Sequence, residues 1–123
     1  MSFYLLMTAA AVCFLAVAAH GIWGRKIYLG LIDKTILPAR EKSISAVSWD
    51  VFTIMLSVSG LSLLFVAFNR HAILMAYPIM AIHPMGACLF FFFMAKGHKE
   101  LVALPGAYLM GAIGVLTLLA IQG

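Results

Sequence analysis

Three ionisable side chains, those of His20, Asp50 and His83, fall inside or directly beside long apolar stretches of the chain. An ionisable group in such a setting is costly to bury, so each one indicates a functional site that has a partner. An imidazole can transfer a proton or bind haem iron, and a carboxylate can pair with it. The chemistry open to this chain is therefore a proton path, a quinone contact or a haem contact.

His20 and Asp50 lie beside the two tryptophans of the chain. His20 precedes Trp23 by about one helical turn, and Asp50 directly follows Trp49. If both tryptophans mark one membrane boundary, the imidazole and the carboxylate lie at the same depth, which predicts an ion pair between them. Two alternatives stay open: a neutral His20 that donates to a nearby carbonyl, and an interfacial or helix-capping Asp50.

His83 lies near the middle of an apolar stretch that also contains Pro78 and Pro84. Proline leaves a helical carbonyl without its N–H donor, so the imidazole can donate to that oxygen; the alternative is contact with a cofactor or quinone. A rise of 1.5 Å per residue separates His83 from His20 by about 8 Å along the membrane normal. Haem held by this pair alone is disfavoured, and haem shared with another subunit stays open.

Other patterns of catalytic and metal-binding residues do not occur. The sequence has no Ser/His/Asp or Cys/His nucleophile arrangement and no zinc-ligand spacing. Cys13 and Cys88 fall at different depths of separate stretches, so we expect two thiols and no disulfide. The sequence thus indicates no catalytic residue, no metal ligands and no required cofactor, and it favours a protein without catalysis of its own.

The placement of charge defines the elements that hold these residues. Among 123 residues, 65% are hydrophobic and only 10% are charged, too few to coat a water-soluble domain. Four apolar intervals separate the charges, and a hydrocarbon core of about 30 Å needs about 20 residues of helix. Backbone groups in lipid must be bonded within their own segment, which excludes open strands. The sequence predicts one all-α domain over residues 1–123, a transmembrane four-helix bundle with spans of about 3–23, 44–68, 72–94 and 101–121.

Basic residues set the predicted orientation. Seven of the eight lie in the linker 25–43 or the loop 96–100, and only Arg70 lies between the second and third spans. The positive-inside rule places that linker and that loop in the cytoplasm and both termini on the non-cytoplasmic side. The linker mixes apolar and charged residues, which predicts a segment lying on the headgroup layer, with Trp23 and Trp49 as interface anchors. The short links between the later spans predict that the last three helices pack as antiparallel neighbours.

Small residues predict the helix-packing surfaces. Ala103, Ala107 and Gly111 recur at four-residue spacing in the last span, and Ser57 and Gly60 form a second small patch in the second span. Helices in lipid associate through such close contacts because lipid tails are as apolar as leucine. These surfaces are either seams within the bundle or contacts with other subunits.

The segments 19–26 (AHGIWGRK) and 48–51 (SWDV) resemble a small uncharacterised family of bacterial four-span inner-membrane proteins. The resemblance covers the first half of the chain. It consists of an alanine-histidine pair near the end of the first helix, a glycine followed by basic residues, and a tryptophan that opens the second helix. Members of the family carry a histidine after that tryptophan, where this chain carries Asp50. The resemblance implies a bacterial inner-membrane location and implies no activity.

These observations favour a non-catalytic accessory or assembly subunit of a larger inner-membrane complex of respiratory or photosynthetic type. The expected partners are the lipid bilayer and other membrane subunits or further copies of the chain, and nucleic acid is not expected. The alternative is a small transporter or redox module, in which His20, Asp50 and His83 form a proton, quinone or haem site. Convergence of the three side chains in one cavity would favour that alternative.

Overall fold

The computed structural model describes residues 1–123 and is helical throughout, without strands. Its long helices are α1 (Ser2–Asp33), α2 (Ala39–Phe68), α3 (Ala76–Ala95) and α4 (Gly106–Gln122). The prediction of an all-α protein is confirmed. Together with the 3-10 turn that precedes α3, three of these helices are long and apolar enough to cross a membrane, while α4 is apolar but has only 17 residues. The chain is therefore a helical membrane protein with three clear candidate spans and one shorter apolar helix.

The structure differs from the predicted interfacial linker, because α1 does not end near Trp23. Helix α1 continues through Arg25–Asp33, and only residues 34–38 are non-helical before α2 begins at Ala39. No proline interrupts α1. In addition, Ile27 and Leu31 repeat at the four-residue spacing of a helix face. Ile27, Leu29, Leu31 and Ile32 are thus part of a continued helix, whereas Ile36 and Leu37 lie in the non-helical residues 34–38.

The last helix begins later than the predicted span. Residues Lys99–Ala103 form a 3-10 turn, and α4 starts only at Gly106, after Pro105. Proline lacks an N–H and its fixed φ suits the beginning of a helix, so it marks where α4 can start. Ala103 therefore lies outside α4, is exposed, and does not continue the small-residue row of that helix.

Helix α1 packs along both α2 and α4, and α3 packs along α4. The buried core joins side chains of all four helices, among them Leu6, Cys13, Leu56, Leu63, Ile79 and Ile113. Helices α2 and α3 approach each other at only a few points. This differs from the predicted close packing of consecutive neighbours, since only α3 and α4 form an extensive contact of that kind. The α2–α3 side is consequently open.

Small residues form the seams between the closely packed helices. A Cβ at Gly60 of α2 would lie 3.1 Å from Cys13 and Phe14 of α1, and one at Gly114 of α4 would overlap the Pro84 ring of α3. Ala107 is fully buried. A Cβ at Gly111 would lie 4.0 Å from that of Ala87. Ser57 donates to the carbonyl of Thr53 in its own helix. Gly60 and Gly111 therefore lie where helices of this chain come close, and Ala107 is buried inside it, whereas Ser57 bonds to its own helix.

The helices differ in length, so two of them extend past the others. At 1.5 Å per residue, α1 and α2 are about 48 and 45 Å long, whereas α3 and α4 are about 30 and 26 Å long. Phe3 of α1 contacts Phe68 of α2, and Ser2 lies beside Gly123, so the helices are aligned at the end that holds both termini. The excess length therefore lies at the opposite end. We call residues 25–50 there the projecting hairpin.

Candidate functional site

Helix α1 changes its winding where His20 lies. Residues Ala18–Gly24 form a π-helical segment between two α-helical ones. Such turns are rare and are found frequently at functional sites. Glycine lets α2 come close here, because a Cβ at Gly21 would lie 2.6 Å from Thr53 Cγ2 and one at Gly24 would lie 2.9 Å from Trp49 Cζ2. The π-helical segment thus brings the His20 turn of α1 directly against α2.

His20 is held by two residues of α2. Its Nδ1 lies 2.9 Å from Thr53 Oγ1, and that hydroxyl donates to the carbonyl of Trp49 over 3.3 Å. The direction of the His20–Thr53 bond follows from the tautomer: when the hydroxyl proton is on the Trp49 carbonyl, Nδ1–H of His20 donates to Thr53. The imidazole also stacks on the Trp49 indole at a centroid distance of 4.0 Å, and Tyr28 stacks on the same indole at 4.5 Å. The result is an aromatic cluster, His20, Trp49 and Tyr28, at the base of the projecting hairpin.

Asp50 pairs with Arg25 and not with His20. Arg25 Nε donates to Oδ1 over 2.7 Å and Nη2 donates to Oδ2 over 3.0 Å, a bidentate geometry in which both side chains are about half exposed. The predicted His20–Asp50 ion pair is therefore replaced by an Arg25–Asp50 pair. The physical reason is reach, since α1 continues past Trp23 and carries Arg25 alongside the start of α2. This pair joins the two arms of the hairpin.

His83 is fully buried between α3 and α2. Its Nε2 lies 3.1 Å from Ser59 Oγ, while its Nδ1 is buried without a hydrogen-bond partner. The imidazole thus bonds to a hydroxyl of another helix, and no bond to a carbonyl freed by a proline is formed. This hydrogen bond is one of the few contacts across the open α2–α3 side.

The three predicted residues do not meet in one cavity. His20 borders a surface pocket of about 470 Å³ together with Tyr28, Trp49 and Phe52. His83 lies behind a separate groove of about 350 Å³ between α2 and α3, to which Ser59 contributes. The partners Thr53 and Ser59 are six residues apart on α2, about 9 Å along its axis. A continuous path from Asp50 through His20 to His83 is not formed.

The structure contains no metal-binding geometry, and the comparisons with known proteins found no relative. No group of three His, Cys, Asp or Glu side chains is placed to hold a metal ion. Comparison of the chain with protein-family models, with curated proteins and with solved structures found no match.

Sequence reasoning missed four residues that complete these sites: Arg25 and Tyr28 in the hairpin, and Thr53 and Ser59 on α2. Thr53 could have been found from the sequence, because it follows Trp49 by four residues and so shares its helix face. Ser59 could not have been found in this way, since its role depends on which residue of α3 lies opposite. That relation is set by tertiary packing and leaves no trace in local spacing.

Proposed function

We propose that this chain is a non-catalytic accessory or assembly subunit, which attaches to a larger membrane complex through its projecting hairpin. The observation that carries the proposal is that side-chain contacts join the two arms of the hairpin, which exposes large apolar side chains at the end where α1 and α2 are longer than α3 and α4. We infer that another membrane subunit covers this surface.

Three side-chain contacts join the arms of the hairpin and its base. Arg25 and Asp50 join its arms, the Lys42 ammonium donates to the carbonyl of Asp33 over 2.8 Å, and the Trp49 indole donates to the carbonyl of His20 over 2.9 Å. A surface that is ordered before it binds loses little conformational entropy on association. The hairpin is therefore suited to specific recognition.

The exposed apolar side chains of the hairpin lie on both arms and at the tip. Ile27 and Leu31, one helical turn apart, are 65% and 61% exposed, and Ile36 at the tip is fully exposed. Ile44 and Val47 are also exposed on the second arm. Apolar side chains grouped on a surface outside the hydrocarbon region are typical of protein-binding sites. Lys26, Lys34 and Arg40 add positive charge around them.

The membrane arrangement that goes with this proposal is a four-span bundle with both termini outside the cytoplasm and the projecting hairpin inside it. The bias of basic residues towards 25–43 and 96–100 supports that orientation. Helix α4, at about 26 Å, can cross if its flanking residues reach the headgroups. The resemblance of 19–26 and 48–51 to bacterial four-span proteins supports the inner membrane, and complexes of respiratory or photosynthetic type are the proposed hosts.

The alternative of a transporter or redox module that uses His20, Asp50 and His83 together receives no support from a shared cavity. Asp50 is held by Arg25, His20 by Thr53 and His83 by Ser59. Each of the three side chains therefore has a partner of its own.

The subunit proposal is tested by purifying the tagged chain from its native membranes in mild detergent and identifying the chains that migrate with it. The test variant is Ile27→Ala/Leu31→Ala. The matched control is Val115→Ala/Leu119→Ala, two exposed side chains of α4 at the same spacing. We expect partner recovery to fall at least fivefold for the hairpin variant and to stay unchanged for the control. A wild-type chain that stays alone and monodisperse, or equal losses in both variants, would contradict the proposal.

A further inference from the structure

We propose that the groove between α2 and α3 binds a neutral, membrane-dissolved molecule with a carbonyl head, such as a quinone, and that Ser59 donates the hydrogen bond that holds the carbonyl. This site is separate from the projecting hairpin and is independent of the subunit role.

The groove has the size of a small-molecule site. Its volume of about 350 Å³ falls within the range of ligand pockets. It is lined by apolar and sulfur-containing side chains with two hydroxyls, including Met55, Ser59 and Ser62 of α2, Met75 of the 3-10 turn before α3, and Pro78 and Ile82 of α3. On each side it extends from the first to the last of eight residues, about 11 Å. That is enough for one ring and the start of a chain, but it is a small fraction of the length that a transmembrane helix would need.

The Ser59 hydroxyl does not bond to the backbone of its own helix. Five residues donate to the carbonyl four positions earlier in their own helix, namely Thr8, Ser43, Thr53, Ser57 and Thr117. Ser59 has no such bond and is joined only to His83. Its hydroxyl is therefore not committed to the backbone.

The Ser59–His83 pair holds one proton more than its own acceptors use. The Nδ1 of His83 is buried and has no partner. A neutral imidazole carries one N–H, so either Nε2–H donates to Ser59 Oγ and the serine hydroxyl proton stays free, or the hydroxyl donates to Nε2 and Nδ1–H stays free. We take the first arrangement, because Ser59 lines the groove and His83 does not. The free hydroxyl proton then matches a carbonyl oxygen.

The depth of Ser59 in the membrane indicates the class of ligand. Ser59 lies nine residues before Phe68, about 14 Å from the end of α2, and so near the middle of a core of about 30 Å. A phospholipid keeps its charged headgroup at the interface, because placing charge at mid-membrane is costly. A quinone-type head is neutral, dissolves in the hydrocarbon and presents carbonyl oxygens. It fits both the depth and the single donor.

The test is methyl NMR of methionine-labelled protein in lipid nanodiscs, titrated with decylubiquinone. Met55 and Met75 border the groove, whereas Met110 packs against Gly86 and Met1 lies at the terminus. We expect saturable shifts of the Met55 and Met75 methyls and none at Met1 or Met110. Dodecylbenzene, which has a ring and a chain but no carbonyl, should bind at least tenfold more weakly.

Three variants test separately what the Ser59 hydroxyl and the apolar walls of the groove contribute to binding. Ser59→Ala should weaken decylubiquinone binding about two- to tenfold, the value of one net hydrogen bond. Ser57→Ala, on the same helix but bonded to its own backbone, should bind like the wild type. Ser62→Leu, which fills the groove and leaves the Ser59–His83 bond in place, should abolish the saturable shifts.

Three outcomes would overturn the proposal. They are equal affinity for dodecylbenzene, saturable shifts spread over all methionines, and undiminished binding by Ser62→Leu. If Ser59→Ala does not fold, the dodecylbenzene comparison and Ser62→Leu decide the question. Shifts of Met55 and Met75 that depend on protein concentration without any probe would assign the groove to a second copy of the chain and would also overturn it.

Discussion

The indole of Trp49 contacts His20 in two ways, because its Nε1 donates to the His20 carbonyl over 2.9 Å while the two rings stack at a centroid distance of 4.0 Å. The carbonyl belongs to the π-helical segment of α1, and the indole belongs to α2. The interaction therefore joins the helices at the level where the projecting hairpin begins. It also gives Trp49 a role beyond that of an interface anchor.

The first prediction concerns that hydrogen bond. Trp49→Phe keeps an aromatic ring for stacking but removes the N–H, so we expect the free energy of unfolding to fall by about 1 kcal/mol. The control Trp23→Phe changes a residue that is 68% exposed and should stay within about 0.5 kcal/mol of the wild type. Unfolding is measured in detergent by the reaction of buried Cys13 with a maleimide dye in a Cys88→Ser background. Equal effects at both tryptophans would refute the role given to the Nε1 bond.

A second prediction concerns the seam between α3 and α4. In Gly114→Ala the new Cβ would overlap the Pro84 ring, which cannot rotate away, so we expect a loss of about 1–3 kcal/mol. In Gly111→Ala the new Cβ would lie 4.0 Å from that of Ala87, an ordinary contact. The control should therefore be neutral or stabilising by up to about 1 kcal/mol. The same Cys13 assay reports both variants, and tolerance of Gly114→Ala would mean that α3 and α4 are not packed this closely.

The helices were predictable from sequence because charge placement alone separates apolar stretches of the right length. Their ends were less predictable. The continuation of α1 past Trp23 depends on nothing stronger than the absence of a helix breaker between Gly24 and Asp33. The composition of Ala18–Gly24 does not predict a π-helix, because the same residues fit an α-helix no better and no worse. It coincides with the close packing of Gly21 and Gly24 against α2, which is a tertiary contact.

The sequence indicated His20, Asp50 and His83 as site residues, but it did not indicate which side chains pair with them. Counting positions placed His20 and Asp50 at one depth, yet depth does not determine which side chain is within reach. Arg25 reaches Asp50 because α1 continues as a helix, and its guanidinium matches the carboxylate with two donors where an imidazole offers one. Likewise, the depth of His83 followed from counting, whereas its contact with Ser59 depends on how α3 approaches α2.

The third prediction concerns orientation, which the proposed function requires. Four single cysteines are introduced in a Cys88→Ser background at exposed loop or terminal positions, at Thr35, His71, His98 and Gln122. None of these changes removes a lysine or an arginine, so the charge bias that sets orientation is kept. In spheroplasts treated with a membrane-impermeant maleimide, we expect labelling of His71→Cys and Gln122→Cys. Thr35→Cys and His98→Cys should react only after permeabilisation.

The native Cys13 serves as an internal control in this experiment, because it is buried and should stay unlabelled in every variant until the protein is denatured. The paired design distinguishes two kinds of failure. A reversed pattern would keep four spans and place the projecting hairpin outside the cytoplasm, where the proposed partner would have to be sought instead. Thr35→Cys and His98→Cys reacting from opposite sides would mean that an odd number of crossings separates them. In that case α2 or α3 does not cross the membrane, and the four-span bundle is refuted.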